Sequence, residues 1–345
     1  MTDIKALLPE ELEALVISLG EPKFRAKQIF SWLSCGATSF DEMTNLSKNL
    51  REKLAAKSYI SSLKLLKKQV SQSDGTIKYL WGLRDGNAVE TVLMRYKHGA
   101  TVCVSSQVGC AMGCAFCASA IGGLVRNLEA SEMLDEVLAS SADSGERVSN
   151  VVIMGIGEPL DNLDNVLKFL SLLNHPDGLN IGMRHISLST CAIREGLERL
   201  MTENLQLTLA ISLHSACDAT REKLMPANKK LGISELLRLC EKYFHKTGRR
   251  ITLEYAMIDG VNDTPEQARL LAAAARRVSA HINLIPLNYV EERPFSPSTK
   301  KATDAFCKIL EENGANFTLR RSLGSDVDAS CGQLRRNADK DKKSV

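Results

Sequence analysis

No stretch of the 345-residue chain approaches the ~20 consecutive apolar residues that a membrane helix needs. The start, Met1-Thr2-Asp3-Ile4-Lys5, has neither the basic lead nor the apolar run of a secretory signal. These absences set the expectation of a cytoplasmic protein with no membrane partner, in a compartment where thiols stay reduced. Net charge is small as well, at +3, so no global field points to nucleic acid. Internal repeats and low-complexity linkers are missing. Cysteine, by contrast, is plentiful, with ten residues. A disulfide framework does not suit a chain of this length in a reducing compartment, so clustered cysteines read as metal-binding or catalytic. Cys35, Cys191, Cys217, Cys240 and Cys307 are scattered through apparent helices and strand ends, and read as small buried hydrophobes.

The length allows one large core with one or two small appendages. Residues 1–60 read as a helical unit. Leu12, Leu15, Val16 and Leu19 carry a helical spacing that Gly20-Glu21-Pro22 stops. Further helices are expected near 23–33 and 46–57. Residues 61–95 read as a β-meander extension, because Lys68-Gln69-Val70, Ile77 to Trp81 and Val89 to Leu93 are separated by the turn signals Ser73-Asp74-Gly75 and Asp85-Gly86-Asn87. From 96 to 334 strands and helices alternate. Strand candidates are 101–106, 149–154, 184–190, 206–213, 250–257, 280–286 and 316–321. Helix candidates include 128–141, 162–173, 232–245, 265–277 and 302–313. Apolar strands with intervening helices predict a mostly parallel sheet covered on both faces. Roughly six such units predict a partial β/α barrel, with chemistry at the C-terminal ends of the strands. The charged tail 335–345 is expected to be disordered.

Cys110, Cys114 and Cys117 form C-x3-C-x2-C just after the first barrel strand. Three thiolates in one short loop can face a common centre, and thiolates favour iron–sulfur clusters or zinc. Structural zinc usually takes four ligands, often as two C-x2-C pairs, and no fourth ligand at suitable spacing stands out. Three ligands on a four-iron cluster leave one iron open. A second signal is Met154-Gly155-Ile156-Gly157-Glu158-Pro159-Leu160 at a strand end. Gly155 and Gly157 permit close backbone approach to a ligand, and Glu158 can accept a hydrogen bond from an ammonium group. The third glycine of a dinucleotide-binding turn is missing, since position 160 is leucine. Ser189, Ser212-Leu213-His214 and Asn288 follow further strands. Singly each reads as an ordinary strand terminus; together they can form one rim.

The cysteine spacing and its placement resemble the radical S-adenosylmethionine (SAM) superfamily. There, a [4Fe–4S] cluster binds SAM through its open iron and cleaves it to a 5′-deoxyadenosyl radical. The chain as a whole resembles the RlmN/Cfr family of RNA adenine methyltransferases. The matching segments include Pro22 to Trp32, Val89 to Leu93, Cys103 to Cys117, Arg126-Asn127-Leu128, Gly155 to Asn162, Leu188-Ser189-Thr190, Ile211 to His214, Val261-Asn262-Asp263, Ile282 to Asn288 and Asp326 to Leu334. The resemblance implies a two-SAM mechanism. Cys331 takes a methyl group by nucleophilic substitution. A radical from a second SAM removes a hydrogen atom from that methyl, and the resulting methylene radical adds to an sp2 carbon of adenine. Glu90 is then the proton acceptor, and Cys103 forms a disulfide with Cys331 to free the product. By the same match, Gly157, Glu158, Ser189, Ser212, Leu213, His214 and Asn288 contact SAM, and Cys110, Cys114 and Cys117 hold the cluster.

Implied partners are 23S rRNA and tRNA, and an external electron donor such as a flavodoxin or ferredoxin; a monomer is expected. RlmN-like members methylate adenine C2, in the peptidyl-transferase centre and next to the anticodon, whereas Cfr-like members methylate C8. Gly157-Glu158-Pro159-Leu160 is RlmN-like, since Cfr sequences carry alanine in place of Pro159. Ser325, Val327, Ser330 and Cys191 depart mildly from the family pattern, where Asp, Ile, Ala and Ser are usual. The resemblance gives the helical unit a role in gripping RNA phosphates, through Arg25, Lys27 and their basic neighbours. Two other readings stand beside this one. A Cfr-like C8 enzyme differs only in the carbon it attacks. A metal-binding, non-catalytic RNA-interaction protein has no use for Cys103, Cys331 or Glu90.

Overall fold

The computed structural model describes residues 1–321 together with Gly324, Asp326, Val327 and Leu334. Cys331 and the tail 335–345 lie outside the described residues. The N-terminal unit comprises β1 (Thr2–Asp3), α1 (Pro9–Ser18), α2 (Phe24–Ser34), α3 (Lys48–Lys57) and β2 (Ser58–Tyr59), with β1 and β2 paired in parallel. Pro9 opens α1 at a position where a missing N–H costs nothing. The Glu11 carboxylate accepts from the Leu8 amide at 2.7 Å. Leu12 and Val16 then bury one face of the helix.

The meander is β3 (Lys64–Val70), β4 (Ile77–Gly82) and β5 (Ala88–Tyr96), all antiparallel. It does not stop at the barrel. β5 pairs antiparallel with β6 (Gly99–Val104), which pairs parallel with β9 on its other side. Next come a short hairpin of β7 (Gln107–Gly109) and β8 (Leu124–Asn127), then α4 (Ala130–Ser144), β9 (Val148–Ile153), α5 (Leu163–Asn174), β10 (Ile186–Thr190) and α6 (Arg194–Thr202). β11 (Thr208–Ser212), α7 (Asp218–Leu224), α8 (Ile233–Thr247), β12 (Thr252–Met257), α9 (Pro265–Arg277), β13 (His281–Pro286), α10 (Lys300–Glu312) and β14 (Phe317–Leu319) complete the chain. The ten-stranded sheet runs β14-β13-β12-β11-β10-β9-β6-β5-β4-β3, with every pairing from β6 to β14 parallel. Six strand–helix units and a closing strand therefore make the expected partial barrel, and the meander extends its wall.

The barrel strands correct one expectation. They are not continuously apolar but alternate. Ile186 and Leu188, Leu209 and Ile211, Leu253 and Tyr255, and Ile282 and Leu284 are fully buried beneath the helices. Thr101, Asn150, Ser187 and Asn283 instead line a cavity inside the barrel. Each aliphatic side chain sealed under the helices is worth about 1.5–3 kcal/mol. A polar lumen lets the inside stay open where a fully packed barrel would fill it with branched side chains. The helical unit shares one continuous core with the barrel, Ile4, Leu12 and Leu33 belonging with Leu170 and Leu173. A buried ion pair fixes that junction, with Lys5 Nζ 2.6 Å from Asp135 on α4. The Ser61 hydroxyl donates to the same carboxylate at 2.8 Å.

Candidate active site at the C-terminal mouth of the barrel

The three clustered cysteines lie in the loop of the β7–β8 hairpin. Gly109, at φ +79°, has the Gly123 carbonyl 2.0 Å from where a Cβ would stand, so only glycine lets the two ends of the loop close. Cys110 N–H donates to that Gly123 carbonyl at 3.1 Å. Ala115 N–H donates to Leu224 O at 2.8 Å, and Arg293 donates to Cys117 O at 3.1 Å, so the loop is tied to α7 and to the segment after β13. Cys110, Cys114 and Cys117 all line one cavity of about 280 Å3. The same cavity is lined by Gly157, Glu158, Ser189, Ser212, His214 and Asn288. Of the residues expected around SAM, only Leu213 stays out. Its side chain is fully buried, its N–H donates to Glu254 O, and its carbonyl accepts from Arg221.

The donor set fits an iron–sulfur cluster. Burial pushes the Cys110 thiol up to about 11, and burial pushes Cys114 well up too, each further raised by charge on its neighbouring cysteines. Thiols that reluctant to ionise need a cationic centre to hold them as thiolates, and binding it releases protons. Among the described residues, no three His, Cys, Asp or Glu side chains converge as one metal ion requires. Three thiols spread along one cavity wall suit a cluster in which each binds a different iron.

Gly155 and Gly157 line the cavity and also serve a second purpose. A Cβ on Gly155 would lie 2.7 Å from Val104 O, and one on Gly157 would lie 2.7 Å from Gln107 N. The close approach they allow is to the β6–β7 backbone. Gln107 and Asn162 complete that junction. The Gln107 amide accepts from Glu158 N–H, and Asn162 donates to Ser106 O and Leu128 O. Glu158 is thereby buried with its oxygens aimed at β10. Oε1 accepts from Leu160 N–H at 3.0 Å and Thr190 Oγ1 at 2.6 Å, and Oε2 accepts from Cys191 N–H at 2.8 Å. Burial raises its pKa despite these donors, and the Cys191 thiol contributes a further hydrogen bond. A carboxylate offers about four lone-pair sites, and three backbone and hydroxyl donors with the Cys191 thiol account for them. Cys191 is thus part of the site as well as packing, as expected, against Leu224, Met225 and Ile258. Cys35 departs from expectation, being exposed, while Cys240 is buried as expected.

Three contributors were given no role from the sequence. Glu254, in the middle of β12, faces the cavity and accepts from Ser189 Oγ at 2.5 Å and Ser212 Oγ at 3.3 Å. A lone acid in an apolar strand was the available clue. Asn262 is fully buried and donates to His214 O and Ala256 O, both at 2.7 Å, holding His214 at φ +54°. Arg221, on α7, reaches Leu213 O, Ser212 O and Cys191 O and joins two strand ends of the site.

His214 Nδ1 accepts from Ala256 N–H at 3.0 Å, so the neutral ring carries its proton on Nε2. Burial, assisted by Arg221, lowers its pKa from 6.5 to about 3. On acidification the unfolded chain takes that proton first. The stability this group contributes is therefore fully present above about pH 6.5 and is lost as pH falls toward about 3. In urea unfolding measured across that window, His214→Gln is expected to flatten the acid decline; an unchanged slope would contradict a buried neutral ring.

Cys103 is the next-to-last residue of β6, and Glu90 on β5 is level with Ser105, whose hydroxyl donates to its carbonyl at 2.8 Å. Val92 faces Cys103 across the β5–β6 ladder, so Glu90, two residues earlier, shares that face. Met94 and Thr101, the next pair, both line the lumen, which puts Cys103 on the lumen side. Lys78, unremarked in the sequence, is fully buried with Nζ 3.0 Å from Glu90 Oε2. Cys331, their expected counterpart, is outside the described residues.

A partial parallel barrel with a three-cysteine loop at its C-terminal mouth defines a radical SAM enzyme, and the profile of the Radical SAM superfamily matches residues 104–272. The profile described as "Ribosomal RNA large subunit methyltransferase N-terminal domain" matches residues 2–60. Two proteins named "Probable dual-specificity RNA methyltransferase RlmN" are similar along nearly the whole length. That of Alkaliphilus oremlandii is 50% identical over 97% of both chains. That of Lachnoclostridium phytofermentans is 51% identical over 97% of this chain and 94% of its own. A radical SAM methyltransferase from Sphaerobacter thermophilus superposes with a TM-score of 0.92 at 40% identity, over 96% of this chain and 99% of that one. The chain belongs to the RlmN family.

Proposed function

We propose that this enzyme methylates C2 of adenine in 23S rRNA and in tRNA next to the anticodon. The observation that supports this most is the gathering of chemistry at one end of the barrel: the cysteine loop and Glu158 line the C-terminal mouth, Cys103 is the next-to-last residue of β6, and Glu90 is level with Ser105 just past it. Cys110, Cys114 and Cys117 would hold three corners of the [4Fe–4S] cluster. Glu158, Ser189, Ser212, His214 and Asn288 would orient SAM, with Glu254 fixing both serine hydroxyls. When bound, the cluster and SAM supply one electron and the carbon radical that activates an otherwise inert methyl group. Cys331 carries that methyl to the base. Glu90 would remove the proton from the adduct, whose unpaired electron would be returned to the cluster, with Lys78 beside the carboxylate to balance its charge. Cys103 then attacks Cys331, forming a disulfide and releasing the methylated base. The reductant is a small redox protein of flavodoxin or ferredoxin type.

The N-terminal unit suits the RNA. A groove of about 780 Å3 is lined by Lys23, Lys27, Phe24 and Trp32, which pairs charge for phosphates with rings for bases. No helix among the described residues is long and apolar enough to cross a membrane.

The test is anaerobic reconstitution with iron and sulfide, followed by SAM, reductant and unmodified 23S rRNA, with mass spectrometry of digested nucleosides. 2-Methyladenosine is expected. 8-Methyladenosine would move the enzyme to the C8 branch. 5′-Deoxyadenosine without methylated base would remove the RNA substrate. Cys331→Ala is expected to reduce methylated product to the no-enzyme level, and normal turnover in that variant would sink the methyl-cysteine route.

A further inference from the structure

A second cavity, of about 330 Å3, lies at the opposite, N-terminal mouth of the barrel. Its lining includes Arg184, Arg320, His98 and His185, and no aspartate or glutamate. A number of other arginines are neutralised instead. Arg95, Arg126, Arg194, Arg199, Arg238 and Arg277 all sit against carboxylates. Among the described residues, Arg184 and Arg320 have no such partner; the Arg320 guanidinium reaches only Met94 Sδ, at 3.9 Å. At the rim, the Tyr96 and His98 rings stack at 5.1 Å with 9° between their planes, and Tyr96 is 39% exposed. The two cavities share Met154 and Arg320, so they adjoin inside the barrel.

Two unpaired guanidiniums beside a polar opening favour an anion, and a planar donor fork matches phosphate oxygens. A stacked aromatic pair at the rim favours a nucleobase. The C-terminal mouth is a poor entrance, because the tethered cysteine loop lines it and SAM would fill the cavity there. The substrate base must leave its stack to reach a buried thiol, and that loss is offset where another ring receives a neighbouring base. Resting on the RNA methyltransferase reading above, we propose that the N-terminal mouth is the port for the RNA strand. A phosphate flanking the target adenosine seats between Arg184 and Arg320. The Tyr96–His98 pair stacks on an adjacent base, and the unstacked adenine enters the lumen toward Cys103.

The experiment uses full-length, cluster-loaded protein and a fluorescent 23S rRNA fragment, with affinity followed by anisotropy from low to high salt. Arg184→Gln is expected to weaken binding about tenfold at low salt and make the salt slope shallower by about one. Arg184→Lys keeps the charge and is expected to restore the slope. Tyr96→Ala is expected to weaken binding about five- to hundredfold with the slope unchanged. Arg238→Gln, on the outer face of α8, serves as the control with parental affinity. Iron and sulfide per chain verify that each variant has folded. Parental affinity and slope in Arg184→Gln would overturn the port, and so would an affinity loss that Arg184→Lys fails to relieve. The unaltered enzyme is assayed alongside for methylated RNA. If it modifies none, the function itself falls, whereas active enzyme with indifferent port variants removes only the port.

Discussion

Arg221→Met is expected to destabilise the protein by about 3–5 kcal/mol, read as a fall in unfolding free energy at unchanged m-value. The side chain is 1% exposed and makes no ion pair among the described residues. Its guanidinium donates instead to Leu213 O at 3.1 Å, Asn228 Oδ1 at 2.9 Å, Cys191 O at 3.0 Å and Ser212 O at 3.3 Å. Removing it orphans four acceptors, and each unsatisfied buried acceptor costs about 1–3 kcal/mol before relaxation. Methionine refills most of the volume, so the loss reads hydrogen bonding rather than a cavity. Asp218, the nearest carboxylate, is reached only through Asn228, whose amide donates to it at 2.9 Å. Arg221→Lys is expected to recover less than half of the loss, because an ammonium cannot span acceptors on both strand ends. Full recovery in the lysine variant would show that charge alone is needed.

Cys114→Ala is expected to bring methylated product down to the no-enzyme level and to lower bound iron, as measured by metal analysis and nucleoside mass spectrometry. Two thiolates leave two irons of the cluster without protein ligands. Cys240→Ala is the informative contrast. Cys240 is 2% exposed in the core beneath α8 and away from the cavity. Its loss is expected to cost about 1 kcal/mol of stability and to leave iron content at the parental level. Iron retained in Cys114→Ala would break the assignment of the cluster ligands.

The order of strands and helices was legible because each barrel strand carries aliphatic residues at period two and each helix carries them at period 3.6. The lumen's polarity was in the same strands, in Ser187 and Ser189 or Thr208 and Ser212, but apolar content hid the alternation. The β7–β8 hairpin was not legible. Its strands are three and four residues long, and a loop of cysteines and glycines separates them. The cysteines and Glu158 stood out through spacing. Arg221, Asn262 and Lys78 did not, since their meaning comes from burial against partners distant in sequence. Gly155 and Gly157 were noticed for the cavity that both line; their tertiary contact with β6 and β7 was not visible.

The hydrogen-bonded seam between β5 and β6 bears on how this enzyme can be dissected. A fragment beginning at Ala100 would keep the cysteine loop and every strand–helix unit, yet would bare a full edge of β6. Open edges of that kind recruit strands from other molecules. The catalytic barrel is therefore no free-standing cassette to be trimmed or grafted. Any minimal enzyme has to carry the meander, and with it Lys78 and Glu90, as part of its own wall.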